Sequence, residues 1–180
     1  MTSAEGSTSL ALLSLGGNLG DVARTFAHAV CDLEKQAQSH VLKCSSLWRT
    51  KPWGKTDQPD FMNMAVSLST DLPALELLDF CLALEIKAGR IRHERWGPRP
   101  LDIDIIVFGS LEASTEVLTL PHPRAHERAF VLAPLAEIAP DVLLHGKRID
   151  DLLRKLQETL PEGECVRDSL ATDKFRSALA

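Results

Sequence analysis

GRIRHERWGPRPLDIDIIVF, residues 89–108, joins two unlike halves. The first half crowds Arg90, Arg92, Arg95 and Arg99 around Trp96, Gly97, Pro98 and Pro100. The second half, Leu101 to Phe108, reads as a strand that carries Asp102 and Asp104. Residues two apart on a strand share a face. Both carboxylates therefore point one way, and Leu101, Ile103 and Ile105 point the other. Arg suits phosphate because its planar fork offers parallel charge-assisted hydrogen bonds. Paired carboxylates suit Mg²⁺, which binds through one or two of them plus substrate phosphates. Two acids side by side on an apolar strand repel each other and lose hydration unless a cation or several donors compensate. The pattern points to a site that transfers part of a nucleoside triphosphate. The plainer alternative is a solvated Arg-rich face and a chance Asp pair.

Outward from this stretch the elements fall into order. Upstream, Asp71 and Pro73 mark a helix start, with Leu75, Leu78, Leu82 and Ile86 as an apolar stripe and Gly89 as the stop. Phe61 to Thr70 alternates, with Phe61, Asn63, Ala65 and Ser67 on one side, and reads as a strand. Val41 to Thr50 reads as another strand. Between them, Lys51 to Asp60 holds Pro52, Gly54, Pro59 and a lone Trp53, and reads as a long loop. Asp21 is a helix N-cap for a stripe of Val22, Phe26, Ala29, Val30 and Leu33. Leu10 to Leu15 is apolar throughout and precedes Gly16-Gly17, as in a buried central strand. The order is β-α-β-β-α-β, an α+β, ferredoxin-like core: an antiparallel sheet with helices packed on it.

Downstream, Val117 to Leu120 reads as a short strand stopped by the stiff turn Pro121-His122-Pro123. His126 to Ile138 reads as a helix. Val142 to Leu144 and Arg148 to Leu156 give a short strand and a last helix as C-terminal additions. Residues 1–9 read as a disordered arm, residues 10–160 as a single domain, and residues 161–180 as a tail without assigned role. The Gly, Pro and charge content of residues 51–60 and 90–100 predicts loops that close over substrates.

The 180 residues carry a formal net charge of −5, so the Arg cluster stands against an acidic background. That balance argues for a local anion site and against a nucleic-acid binder. The cysteines, Cys31, Cys44, Cys81 and Cys165, form no Cys-x-x-Cys pair and read as free thiols in a reducing cytoplasm. No apolar run approaches the roughly 20 residues that a membrane span needs. The expectation is a cytoplasmic monomer that engages neither membrane nor nucleic acid.

The segment Arg95-Trp96-Gly97-Pro98-Arg99-x-x-Asp102-x-Asp104 resembles the signature of the 6-hydroxymethyl-7,8-dihydropterin pyrophosphokinases of folate biosynthesis. Further matches occur at Leu15-Gly16-Gly17-Asn18-Leu19-Gly20-Asp21, at Asp57-Gln58-Pro59-Asp60-Phe61-x-Asn63, at Leu120-Pro121-His122-Pro123-Arg124 and at Arg128-x-Phe130-Val131-Leu132. Separated motifs in the right order make the resemblance specific over residues 9–155. It implies transfer of pyrophosphate from ATP to the pterin hydroxymethyl oxygen, with release of AMP. It implies that Asp102 and Asp104 hold two Mg²⁺ ions, and that Arg90, Arg92 and Arg99 stabilise charge developing on the phosphates. It further implies ATP contacts by Glu85, Arg92, Arg95, Trp96, Ile105, Thr119, His122 and Arg128. For the pterin it implies Asn63 at the ring edge, Phe61 and Phe130 against the ring faces, and help from Gly16, Thr50 and Trp53. Leu82 stands where the family often has a polar residue near adenine.

Two other readings have sequence features in their favour. A ferredoxin-like RNA-binding module would stack bases on sheet aromatics, but no matching aromatic motif is present. A metal-dependent glycosyltransferase also uses Asp-x-Asp, but normally within a larger nucleotide-binding domain.

Overall fold

In the computed structural model the described residues are 8–52, 57–90, 97–161 and 163–180. The central strand β1, Ser9–Gly17, is followed by α1, Val22–Lys35, whose N-cap Asp21 accepts from the Arg24 N–H at 3.2 Å. Next come β2 (Ser39–Cys44), β3 (Trp48–Thr50), β4 (Phe61–Thr70), α2 (Ala74–Lys87) and β5 (Asp102–Phe108). The main sheet runs β3-β4-β1-β5, with β2 beside β3 along the same edge of β4, and all these pairs are antiparallel. The ferredoxin-like order read from the sequence is the order observed.

One expected strand is two. Val41 to Thr50 contains no Gly or Pro and reads as continuous, yet it breaks at residues 45–47. There the Ser45 hydroxyl accepts the Ala65 N–H at 2.9 Å, and the Ser45 N–H donates to the Ala65 carbonyl at 2.9 Å. A serine side chain thus stands in for a ladder position.

Each face of the sheet carries its own core. On one face Leu13, Leu15, Met64, Val66, Ile103 and Ile105 meet Phe26 and Leu33 of α1 and Leu77, Cys81 and Leu84 of α2. The α2 stripe is rotated from the expected one: Leu75 is 55% exposed and Ile86 72% exposed. That helix is Leu-rich all round, so periodicity alone selects no face. On the other face Leu12, Ala65, Ile106 and Val107 meet α3, Ala129–Ile138, which follows a 3-10 turn at Ala125–Glu127. One extra residue on β5 opposite Leu12/Leu13 breaks the alternation and turns both Ile106 and Val107 toward α3.

The remaining elements are β6 (Ala113–Ser114), β7 (Thr119–Leu120), β8 (Leu143–Leu144), β9 (Lys147–Arg148), α4 (Ile149–Gln157), β10 (Cys165–Arg167) and α5 (Ser169–Leu179). The C-terminal residues are ordered into structure that the sequence reading left blank. β10 pairs with β3, and α5 packs on α1 through Phe175, which is 2% exposed. The arm expected over residues 1–9 falls mostly outside the described residues, but Ser9 already belongs to β1. All four cysteines are free.

Candidate active site

α3 covers only part of its face of the sheet. Beyond its first turn the same face opens into a pocket whose empty space, open solvent at its mouth included, is about 740 Å³. Its floor is built from three neighbouring strands. Ser14 and Gly16 come from β1, Phe61 and Asn63 from β4, and Asp102 and Asp104 from β5. Gly16 is opposite Asn63 on one side and opposite Asp102 on the other, so the three form a row across the sheet. Strands lie 4.7–4.9 Å apart, which puts the amide and the carboxylate strand about 10 Å from each other. Thr50, Lys51, Arg99, Arg128 and Phe130 complete the wall.

At one end of the row the Asn63 amide is fixed. Its Nδ2 donates to Thr50 Oγ1 at 2.9 Å and lies 3.5 Å from the Trp48 carbonyl. A carbonyl can only accept, so the nitrogen faces β3 and Oδ1 faces β1. A Cβ on Gly16 would stand 3.4 Å from that Oδ1. Phe61 and Phe130 are half-buried, each under a guanidinium: Arg99 is 5.3 Å from the Phe61 centroid and Arg128 is 5.8 Å from that of Phe130.

At the other end the acids differ. Asp102 pairs with Arg99 at 2.9 Å and with Arg90. Arg90 also pairs with Glu85 at 2.7 Å, and Glu85, 3% exposed, accepts the Ile103 N–H at 2.8 Å. Burial works against the charge on Arg90, but Asp102 and Glu85 outweigh it and raise its pKa above the usual value. Asp104 is pushed up to about 6, first by burial and then by Asp102, with Arg128 and Arg99 pulling the other way. Arg99 Nε is buried without a hydrogen-bond partner. The pocket therefore holds a carboxylate short of positive charge beside a guanidinium nitrogen short of an acceptor.

His122 stands beside this end. Its N–H donates to the Ile106 carbonyl at 2.9 Å, and its Nδ1 accepts the Arg124 N–H at 3.2 Å. Burial and then Arg128 lower its pKa to about 4, so the imidazole is neutral at pH 7.

The structure thus gathers Gly16, Thr50, Phe61, Asn63, Arg99, Asp102, Asp104, Arg128 and Phe130 around one cavity. Arg90 and Glu85 lie behind it. Thr119 borders a separate, more open hollow with Pro121 and His145. The Ile105 side chain lies in the core on the opposite face of the sheet. Trp53, Arg92, Arg95 and Trp96 lie outside the described residues.

Sequence reasoning assigned nothing to Asn18, although it sits inside a quoted motif. Buried to 6%, Asn18 exchanges two backbone-level bonds with Arg99: its N–H donates to the Arg99 carbonyl at 2.9 Å, and its Oδ1 accepts the Arg99 N–H at 2.9 Å. Its Nδ2 reaches Gln58 Oε1 and the Pro59 carbonyl, each at 3.0 Å. One side chain ties the segments on both sides of the pocket together. Beside it, a Cβ on Gly17 would come within 2.5 Å of the Pro100 carbonyl oxygen, so only glycine fits.

The family model for 7,8-dihydro-6-hydroxymethylpterin-pyrophosphokinase matches residues 12–140. A relative from Methylorubrum extorquens, named 2-amino-4-hydroxy-6-hydroxymethyldihydropteridine pyrophosphokinase, is 47% identical over 146 residues, covering 81% of this chain and 92% of its own. One of the same name from Bacillus subtilis is 46% identical over 133 residues, covering 74% and 80%. Among solved structures, wild-type HPPK-DHPS of Plasmodium falciparum superposes with a TM-score of 0.64 at 14% identity, over 88% of this chain. The chain spans 43% of that longer protein, and the likeness concerns the fold.

Proposed function

The chain belongs to the 7,8-dihydro-6-hydroxymethylpterin-pyrophosphokinase family, and from that membership we infer how its pocket carries out the reaction. The enzyme is an ATP-dependent pyrophosphokinase acting on 6-hydroxymethyl-7,8-dihydropterin in folate biosynthesis. The pterin hydroxyl gives up its proton to solvent and its oxygen bonds to the β-phosphorus, the bond from that phosphorus to the α-phosphate oxygen breaks, and AMP leaves.

The row Asn63–Gly16–Asp102 supports the placement of the two substrates. The pterin ring lies over the β4 end, with its edge on Asn63 and its faces toward Phe61 and Phe130. The Asn63 Nδ2 is turned to β3, so the amide presents Oδ1 as the acceptor for a ring-edge N–H. Aromatic faces suit a flat heterocycle. Gly16 leaves room for the hydroxymethyl arm to run toward β5. The triphosphate lies over Asp102 and Asp104, within reach of Arg99 and Arg128. Holding both reactants on one rigid sheet supplies much of the rate, because misplacement by about 1 Å costs about a hundredfold.

The donor set fits Mg²⁺. Hard carboxylate oxygens share a face, and Asp104 is held short of compensating charge. When bound, Mg²⁺ neutralises the triphosphate and sharpens the substrate hydroxyl as a nucleophile. Arg90 and Glu85 hold Asp102 from behind. Arg99 can exchange Asp102 for a phosphate oxygen, since its Nε already lacks a partner. His122, neutral, can accept or donate one hydrogen bond without repelling the cationic wall. Arg92, Arg95, Trp96 and Trp53 join this scheme through the family resemblance.

We further place the enzyme in the cytoplasm as a monomer. Free thiols suit a reducing compartment. Among the described residues no helix is long and apolar enough to cross a membrane.

The test is AMP release from ATP and Mg²⁺ in the presence of the pterin and of its 6-methyl analogue, which has no hydroxyl. AMP should form only with the hydroxymethyl compound. AMP release that ignores the pterin, or turnover of a sugar nucleotide instead, would overturn the reading.

A further inference from the structure

We infer that the C-terminal segment, residues 165–179, is a positioning clasp that holds β3 and, through it, sets the orientation of the Asn63 amide. The segment lies outside the matched region 12–140. The inference rests on Asn63 as the residue that reads the pterin edge.

β3 has only three residues, too few to hold its place by its own ladder. Yet both acceptors that fix the Asn63 nitrogen, Thr50 Oγ1 and the Trp48 carbonyl, belong to it. The C-terminal segment holds β3 at several points. β10 pairs with it along its length, Cys165 opposite Thr50 and Arg167 opposite Trp48. Just before β3, buried Leu47 has both backbone groups bound to the segment: its N–H donates to Thr172 Oγ1 at 2.9 Å, and its carbonyl accepts the Asp168 N–H at 2.8 Å. The Asp168 carboxylate caps α5 through the Ala171 N–H at 2.8 Å and also pairs with Arg49 of β3. Phe175 anchors the whole segment in the core.

Without the clasp β3 can slide or tilt, and the amide then loses the partners that fix which end faces the ring. The carboxylates are unaffected in this scheme. They sit on β5, at the opposite edge of the sheet from β10. The clasp therefore tunes recognition of the pterin and not of ATP. Thr172 is its central positioning residue: it is 2% exposed, and its hydroxyl takes the Leu47 N–H and donates to the Asp168 carbonyl at 2.7 Å.

The test is steady-state AMP release by the full chain, reading KM for each substrate with the other saturating. Thr172→Val should raise KM for the pterin about three- to tenfold, the effect of weakening one Asn63–pterin hydrogen bond, and leave KM for ATP within about twofold. Thr172→Ser, which keeps the hydroxyl, should behave as the parent. Asn63→Ala in parallel separates the two failures. If it raises KM for the pterin but Thr172→Val does not, or raises both KM values alike, the clasp is refuted while the Asn63 assignment stands. If Asn63→Ala itself leaves the pterin KM unchanged, the assignment fails and takes the inference with it. Should Thr172→Val not fold, Arg49→Gln loosens the clasp from the surface. A rise in pterin KM alone then supports the clasp, and no rise overturns it.

Discussion

Asn63 is worth its place only if its two amide ends are distinguished, and Thr50 and Trp48 do that. Asn63→Ala removes a buried acceptor from the pterin edge, which costs about 1–3 kcal/mol of pterin binding. KM for the pterin should rise far more than KM for ATP, and equal rises would make Asn63 structural. His122 gives a different kind of prediction. Its folded pKa, about 4, lies below its ordinary 6.5. As pH falls from 6.5 toward 4 the unfolded chain takes up a proton that the folded chain refuses. The stability from neutral His122 is thus present above about 6.5 and lost through that window; solvent screening of the half-buried ring trims the full difference of roughly 3 kcal/mol to on the order of 2 kcal/mol. His122→Gln should flatten the fall in urea stability across pH 6.5–4, whereas parallel curves would contradict the burial argument. Which residues line the pocket was legible where chemistry is distinctive, as with Asp102, Asp104 and Asn63. Asn18 was not, because its four bonds join segments far apart in the chain and no local pattern announces them.

β5 shows how a pocket-lining element is held from outside the pocket. Glu85 on α2 takes the Ile103 N–H and the Arg90 guanidinium, and Arg90 in turn steadies Asp102. From sequence a helix acid reads equally well as a solvated one, and only burial decides. Glu85→Ala leaves a buried backbone donor unpaired and strips Arg90 of one carboxylate, so it should cost about 3–5 kcal/mol in urea unfolding. A loss below about 1 kcal/mol would mean that the ladder behind β5 contributes little. Strand alternation was readable on β4 and β5 because period two admits only two faces. The face of α2 was not readable, since leucines surround the helix and tertiary packing chose Leu77, Cys81 and Leu84.

At the scale of the molecule, the β-α-β-β-α-β order followed from element types and loop signals, but the second covered face and the C-terminal clasp did not. Asp168 before Ser169 was a cap signal in plain sight. It carried no weight without Phe175, whose burial against α1 is a contact between the two ends of the chain. Phe175→Ala should cost about 3–5 kcal/mol and lower Tm by roughly 6–20 °C. An unchanged Tm would detach the tail from the fold. The carboxylates are not equivalent in the whole molecule. Asp102 is tied into the framework by two guanidinium groups, whereas the charge on Asp104 is disfavoured by burial and by Asp102. The most direct test of the central claim, that these acids on β5 serve the triphosphate, is Asp104→Asn measured for AMP release at saturating ATP, Mg²⁺ and pterin, with Tm recorded without metal. Turnover should fall by about a hundredfold or more while Tm holds or rises. Near-normal turnover, or loss of the fold, would contradict it.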